Sequence, residues 1–554
     1  MVDLPVWALD RPLTYEVPAR LQDAVRVGAV VRVPLRGRRV RGWVVGVRRE
    51  EEPPGDVAAI ARASATVPVF DSLLLEVLTG LARRHVHPRS SFLRLVVPPR
   101  VGGGRRRGAM PEGREVAPAG FRPEIWRMAP GEDAALAYAP VIEEALEAGL
   151  GAIVAVPEVR EGSRLLDALE SRFPADAAVV HTGRGPAERS RALWAVAAAE
   201  RRLVLGGRAA VLAPAVPLGA VVVHGEHDRS LKEQRSPYYH AVPAAYARAR
   251  AAGARLILSS PSPSLVSWHR AEGEGWVQRR PQRELERRSW PAVELVEPAR
   301  TPLPSRAVAA VLAASRAGQT TALLLPRTGA TPSGPGPEEL IRYLRRVVPG
   351  ARISRADRPG LGSEPGALAE ALAADVVVAS EAALADVEWP PLGAAIALGV
   401  DALLARPLAS GHEETFALLW AFGSLVARRP GGDPQAPRGR LLLETRRPEH
   451  HVVQALTRGD YHYFARHELE ARHEGEWPPF RTLVKLSLPS GLTDETRARL
   501  SGLRGVRVLG PVEGRAGEEM LLKVEDLEVV LDPLREIVAT AREPIFVDVD
   551  PRDW

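Results

Sequence analysis

Short apolar runs alternate with helix-length stretches from about Arg127 to Leu398, and this alternation constrains the fold more than any other feature of the chain. Ala152–Val156, Ala177–Val180, Leu203–Leu205, Ala220–Val223 and Arg255–Leu258 are strand-sized, with helical patterning over Arg160–Arg172 and Pro186–Ala199. A second series opens at Ala322–Leu325 and continues through Asp375–Val378 and Ala394–Leu398. Strands separated by helices imply parallel sheets covered on both faces, an α/β architecture. The 554 residues allow several such domains, and 45% hydrophobic with 26% charged residues is a globular balance.

The flanks are patterned differently. Ala29–Leu35 and Val40–Val47 are Val-rich β runs, with Arg36-Gly37-Arg38-Arg39 expected as the tip of a hairpin between them. Leu73–Arg84 has helical spacing. Val101–Pro123 reads as a Gly/Arg/Pro linker, and Thr328–Pro337 and Pro430–Gly439 as loops. The last hundred residues hold a polar, His-rich helical stretch followed by short β runs at 520–524 and 545–549. The expected division is 1–100, a β-rich N-terminal domain; 101–123, linker; 124–300 and 301–445, two α/β lobes; and 446–554, a C-terminal α+β domain.

The chain has no Cys, which excludes disulfides, iron–sulfur clusters, thiol nucleophiles and Cys-ligated zinc. No apolar run approaches the roughly 18 residues of a membrane helix, and Met1–Asp10 lacks the basic segment of a signal peptide. A cytoplasmic, nucleoid-associated location without membrane contact is the expectation. The net charge of +6 is unevenly placed: residues 1–100 hold 16 Arg against 10 Asp and Glu, and the remainder holds 58 of each sign. Arg26, Arg32, Arg36, Arg38, Arg39, Arg41, Arg48 and Arg49 follow one another without an intervening acid. Such a run is either a solvated β surface or a phosphate-binding face, since clustered guanidinium groups pair with phosphate and displace its counterions.

Several segments, in order along most of the chain, resemble the primosomal protein N′ (PriA) family of replication-restart helicases. They are Leu9–Tyr15, Val31–Gly37, Val156-Pro157-Glu158, His181-Thr182-Gly183, Leu205–Pro214, Val223–Asp228, Tyr239-His240-Ala241, Ser259–Leu265, Gly459–Tyr461, Trp477–Phe480 and Val547–Pro551. The resemblance implies two RecA-like doubly wound lobes of the superfamily 2 helicase type. It also implies an N-terminal domain that binds the 3′ end of a nascent strand. Leu13-Thr14-Tyr15 stands where the family has a Phe-Asp-Tyr pocket, so Thr14 replaces the carboxylate that bonds the terminal hydroxyl. Thr14, Tyr15, Arg32, Arg36, Gly37, Arg38, Arg39 and Arg41 are the expected DNA contacts, although Leu13 and Tyr15 equally suit the buried face of a strand.

The resemblance fails at the nucleotide chemistry. A phosphate-binding loop needs Gly-Lys-[Ser/Thr], and the three lysines, Lys232, Lys485 and Lys523, follow Leu231, Val484 and Leu522. Pro130-Gly131-Glu132-Asp133 occupies the loop's place and puts carboxylates where phosphates would dock. His224-Gly225-Glu226-His227-Asp228 stands for the family's magnesium motif, with the metal-binding Asp and the first Glu replaced. Ala417–Arg428 is an apolar helix where the arginine finger belongs. Gly131, Glu226, His227 and Asp228 are therefore expected to be remnants of an ATP site, the latter three hydrogen-bonding between lobes. No catalytic residue, metal, ATP or magnesium use is expected. His450, His451, His462, His467 and His473 are expected on an exposed helical face. The family's winged-helix module and zinc insertion have no counterpart.

These readings imply a replication-restart protein that binds branched or stalled-fork DNA. It would help to assemble the primosome and reload the replicative helicase, without ATP hydrolysis. The expected partners are fork DNA, the helicase loader, primosome proteins and single-strand-binding protein, in the setting of DNA replication, repair and recombination. The alternatives are an ATP-dependent 3′→5′ helicase with a non-standard nucleotide site and a protein-interaction scaffold without DNA function.

Overall fold

Strand placement follows burial. The computed structural model describes residues 1–49, 57–63, 67–97, 120–157, 163–181, 185–215, 217–326, 336–356, 366–384, 389–427, 439–489, 491–514 and 517–552. The expected linker up to residue 119, the arginine triplet within it, residues 158–162 and 182–184, and most of the two Pro/Gly-rich loops lie outside those residues.

The N-terminal sheet runs β2-β1-β3, with β1 (Val30–Leu35), β2 (Arg38–Trp43) and β3 (Arg62–Ala63) antiparallel. Leu35 pairs with Arg38, so the β1–β2 loop is only Arg36-Gly37. Both residues have positive φ, 47° and 76°, as a type I′ turn requires. Arg38 and Arg39 therefore belong to β2, a correction to the four-residue tip expected from sequence. The Ser72–Arg84 helix follows, capped where Asp71 accepts from the Leu74 N–H (2.8 Å), and it buries Leu74, Val77, Leu78 and Leu81.

The first lobe is a parallel sheet in the order β10-β4-β9-β8-β5-β7-β6. Its strands are β4 (Arg122–Arg127), β5 (Gly151–Ala155), β6 (Ala177–Val180), β7 (Leu203–Gly206), β8 (Leu218–His224), β9 (Arg255–Ser260) and β10 (Val277–Arg279). Every residue of β5 and β7 is buried, which is why they read as unbroken apolar runs. Strand β4 claims Arg122 and Pro123 from the end of the expected linker.

The second lobe is a parallel sheet in the order β11-β16-β15-β12-β14-β13. It comprises β11 (Ala292–Val296), β12 (Thr320–Leu324), β13 (Ile353–Ala356), β14 (Val376–Ala379), β15 (Leu392–Ala397) and β16 (Arg440–Glu444). Because β11 pairs with β16, this lobe starts near residue 291, ahead of the expected boundary at 300. Pro337, read as loop, is the first residue of a helix, where its missing N–H costs nothing.

The C-terminal sheet is antiparallel, β18-β19-β17-β20, from β17 (Thr482–Leu488), β18 (Val506–Gly514), β19 (Gly517–Val524) and β20 (Phe546–Val549). It keeps its own core, whereas one apolar cluster joins the Ser72–Arg84 helix, both lobes and the Tyr461–Glu474 helix through Phe92, Trp290, Trp420 and Phe464. Trp290 stacks on Trp420 at 4.1 Å. The fold is thus α/β, with two parallel-sheet lobes between smaller terminal domains. Among the described residues, no helix is long and apolar enough to cross a membrane.

Candidate nucleic-acid interface and interlobe site

Opposed residues of an antiparallel pair share a face of the sheet. Arg32 opposes Arg41 on one side and Arg62 on the other, so three guanidinium-bearing residues form one row across β2, β1 and β3. Arg39, opposite Pro34, lies on the same face. Arg38 pairs with Leu35 and falls on the other face, with Val33 and Val40. The eight consecutive arginines therefore do not make one surface, and Arg62 joins a row that local sequence does not reveal. Its strand is two residues long and its partner is thirty positions away.

Like charges set directly opposite destabilise a sheet unless something neutralises them. At one end Asp3 does so, accepting from Arg41 Nε (2.6 Å). Arg94 also bonds Asp3. Arg41, expected among the DNA contacts, is thus held in an internal ion pair. Arg32, Arg36, Arg38, Arg39 and Arg62 are exposed and make no ion pair among the described residues. Thr14 is exposed. Tyr15 packs on the small β core and donates its hydroxyl to the Pro34 carbonyl (3.1 Å), which fits a structural role.

The place of the phosphate loop is filled by the chain's own acids. Glu132 accepts from the Ala129 N–H (2.9 Å) and pairs with Arg279, while Asp133 caps the Ala134–Glu147 helix by accepting from Leu136 N (3.1 Å). Gly131 keeps the left-handed backbone (φ 70°) of the turn between β4 and that helix. Behind it, the buried Tyr138 hydroxyl contacts His224 Nδ1 (2.8 Å) and Ser259 Oγ (2.7 Å). All three lysines are engaged elsewhere. Lys232 donates to the carbonyls of Tyr238 (2.8 Å) and Val549 (2.5 Å) and pairs with Asp548; Lys485 pairs with Glu519; Lys523 donates to the Gly475 carbonyl (2.7 Å). No lysine reaches the anion cradle.

The segment expected to stand for the magnesium motif, His224–Asp228, forms local structure. Gly225, at φ 61°, lies so close to Pro157 that a Cβ would come within 2.8 Å of its ring. Glu226 accepts from Ser264 N (2.5 Å), Ser264 Oγ (2.9 Å) and Ser267 Oγ (2.8 Å), fastening the start of the Leu265–Gly273 helix. His227 contacts Ser260 Oγ (2.7 Å), and Asp228 accepts from Ser230 N (2.7 Å). These bonds stay within the first lobe and correct the expected bridge between lobes. Other residues bridge. Glu413, on the Gly411–Ser424 helix of the second lobe, accepts from Leu265 N (2.9 Å). Glu414 pairs with Arg229 (2.5 Å). Neither carboxylate carries a sequence signal. A cleft of about 1760 Å³ lies among these elements, lined by Glu226, Arg229, Arg406, Glu413 and Arg472.

Burial pushes the Glu226 carboxyl up to about 7, against the opposing pull of its serine hydrogen bonds, with Glu413 adding repulsion. A folded-state pKa above the unfolded value gives stability that is complete below about pH 4.5 and lost as pH rises through about 7. Glu226→Gln retains an acceptor for Ser264 N and is expected to raise Tm relative to the parent at pH 8 but not at pH 5. The differential is on the order of 3 kcal/mol. Melts at the two pH values measure it, and an equal offset at both would contradict the assigned shift.

The histidines expected on an exposed face divide. His473 is exposed, but His450, His451, His462 and His467 are half-buried; His450 and His451 lie against His412 of the second lobe and His462 against Trp268 of the first.

Residues 1–98 match a family model described as the 3′ DNA-binding domain (3′BD) of PriA. Over 92% of its length the chain is 28% identical to the probable replication restart protein PriA of Mycobacterium tuberculosis (strain H37Rv), covering 90% of that protein. It is 24% identical to replication restart protein PriA of Treponema pallidum over 98% of both chains. Against that of Bacillus subtilis it is 25% identical over 63% of this chain and 51% of the relative. A structure of RecG bound to a three-way DNA junction superposes with a TM-score of 0.39 at 17% identity, covering 64% of this chain and 44% of that one.

Proposed function

We propose that the chain, which resembles replication restart protein PriA over most of its length, is a member of that family and recognises branched or stalled-fork DNA without hydrolysing ATP. The observation that carries DNA binding is the row of Arg62, Arg32 and Arg41 with Arg39 beside it, neutralised among the described residues at one end only. An exposed guanidinium face whose Arg32, Arg39 and Arg62 make no ion pair among the described residues, within the segment that matches a 3′ DNA-binding domain, suits the phosphate backbone. Thr14 is exposed and has a hydroxyl that can hydrogen-bond a terminal sugar, but without a carboxylate it supports weaker preference for a 3′ end.

The nucleotide half rests on occupancy by side chains. Glu132 and Asp133 hold the amides that would face phosphate, and the acids of the former metal motif cap helices and turns. Bringing a triphosphate there means displacing paired carboxylates and placing like charges together. The lobes then serve as a scaffold held by the contacts of Glu413 and Glu414. In this reading the protein marks the fork and helps to recruit the helicase loader, primosome proteins and single-strand-binding protein. The test is fork affinity with and without ATP and magnesium, which should be the same, with no phosphate released.

A further inference from the structure

Outside the sites above, one cluster brings together residues far apart in sequence. His412 opens the second-lobe Gly411–Ser424 helix, His451 opens the His451–Arg458 helix, and Glu468 lies on the Tyr461–Glu474 helix. Glu468 Oε2 lies 3.1 Å from His412 Nδ1 and 2.9 Å from His451 Nε2. All three donor atoms fall within 4.8 Å of one another. From these positions we infer a divalent-cation site, of the chemistry that suits Zn²⁺, clipping the second lobe to the two helices that follow it.

Two imidazole nitrogens and one carboxylate oxygen are a ligand set for zinc with its fourth position open. Zinc–ligand bonds of roughly 2.0–2.2 Å in a tetrahedron put neighbouring donors about 3.3 Å apart. The observed separations from Oε2 need a few tenths of an ångström of expansion. The carboxylate is already held. Its other oxygen, Oε1, accepts from Arg472 Nε (3.2 Å), and Arg472 pairs in turn with Glu413 (2.7 Å). Such outer partners orient a ligating carboxylate. The Arg472 charge is balanced by Glu413, so it does not leave a net cation against the ion. The Glu468 side chain is 4% exposed, whereas that of His412 is 37% exposed, which leaves a route for the ion and room for a water. His450 stacks on His451 (4.6 Å) and its Nδ1 accepts from Val452 N, so it forms part of the wall.

The position gives the ion a consequence. Glu413 also takes the Leu265 N–H of the first lobe, so the cluster is two side chains from the interlobe contact. A bound ion would fix His412, and with it the first turn that presents Glu413.

The test uses the full, tag-free chain and metal alone. Zn²⁺ affinity is measured by competition with a chromophoric chelator, and Co²⁺ loading by visible absorption. The expected result is one tight Zn²⁺ per chain, tetrahedral-type Co²⁺ bands, and a Tm raised by several degrees. His412→Ala and His451→Ala should each weaken binding at least a hundredfold, whereas His467→Ala should leave it unchanged. Wild type that binds no more Zn²⁺ than the His412→Ala/His451→Ala double variant, or gives only octahedral-type Co²⁺ absorption, overturns the site. The three side chains would then be a hydrogen-bonded His–Glu–His group. The Co²⁺ spectrum of wild type keeps the test valid if a variant misfolds.

Discussion

Reversing Arg32, Arg39 and Arg62 to Glu together is expected to lower affinity for fork DNA by about a hundredfold or more near physiological salt. Each phosphate contact contributes about 0.9 to the slope of log affinity against log salt, so the triple variant should also flatten that slope by about 3. The three positions share one face of the N-terminal sheet, two of them directly opposed. All are exposed on strands, so replacement should leave Tm nearly unchanged. Arg38→Glu, on the opposite face, should cost less than threefold. Arg41→Glu should cost stability instead, because it sets a second carboxylate against Asp3. Fluorescence anisotropy with labelled forks separates these outcomes. Equal losses from Arg38→Glu and from the triple variant would remove the face assignment.

The second large effect is on folding. Arg127 at the end of β4 and Glu286 on the Arg283–Ser289 helix form a two-pronged ion pair, with Nη2 to Oε2 at 2.7 Å and side chains 1% and 3% exposed. The Arg127 guanidinium also lies over the Tyr461 ring at 5.6 Å. Glu286→Leu leaves a buried cation without its partner and is expected to destabilise by about 3–5 kcal/mol. Arg127→Met combined with Glu286→Leu removes both charges and should recover most of that loss, since burying an ion pair offsets much of its own attraction. Denaturant midpoints of the parent, two single variants and the double variant measure the coupling. Additive losses would mean that the pair is not coupled. The pair belongs to the first lobe and Arg32 to the N-terminal sheet, so folded variants should keep their fork affinity.

What the sequence discloses here depends on whether a signal is local. The inner strands of both lobes are legible because a strand covered on two faces must be apolar throughout, as in Gly151–Ala155 and Val376–Ala379. Strand β4 is not, since it carries Arg122, Pro123, Glu124 and Arg127. Tertiary partners make those residues tolerable: Glu124 accepts from Arg255 (2.5 Å) and Trp126 Nε1 (2.8 Å), and Arg127 finds Glu286. The same distinction governs the candidate sites. Absence of Gly-Lys-Ser/Thr from the loop is a local fact, readable from three lysines. The folding back of Glu132 onto Ala129 needs a structure, as does the row that recruits Arg62 and neutralises Arg41. His412, His451 and Glu468 have no shared spacing, and only the packing of three helices unites them.

Equilibrium binding of a labelled fork, against matched duplex and single strand and across a salt series, with and without ATP and magnesium, decides whether the protein recognises forks independently of nucleotide. Fork-selective binding that persists near physiological salt with the same affinity in both nucleotide conditions is the predicted result. Weak and equal binding to all three DNAs that vanishes with salt would contradict fork recognition, leaving counterion release alone. Fork affinity that shifts with ATP, accompanied by phosphate release, would contradict the nucleotide-free account.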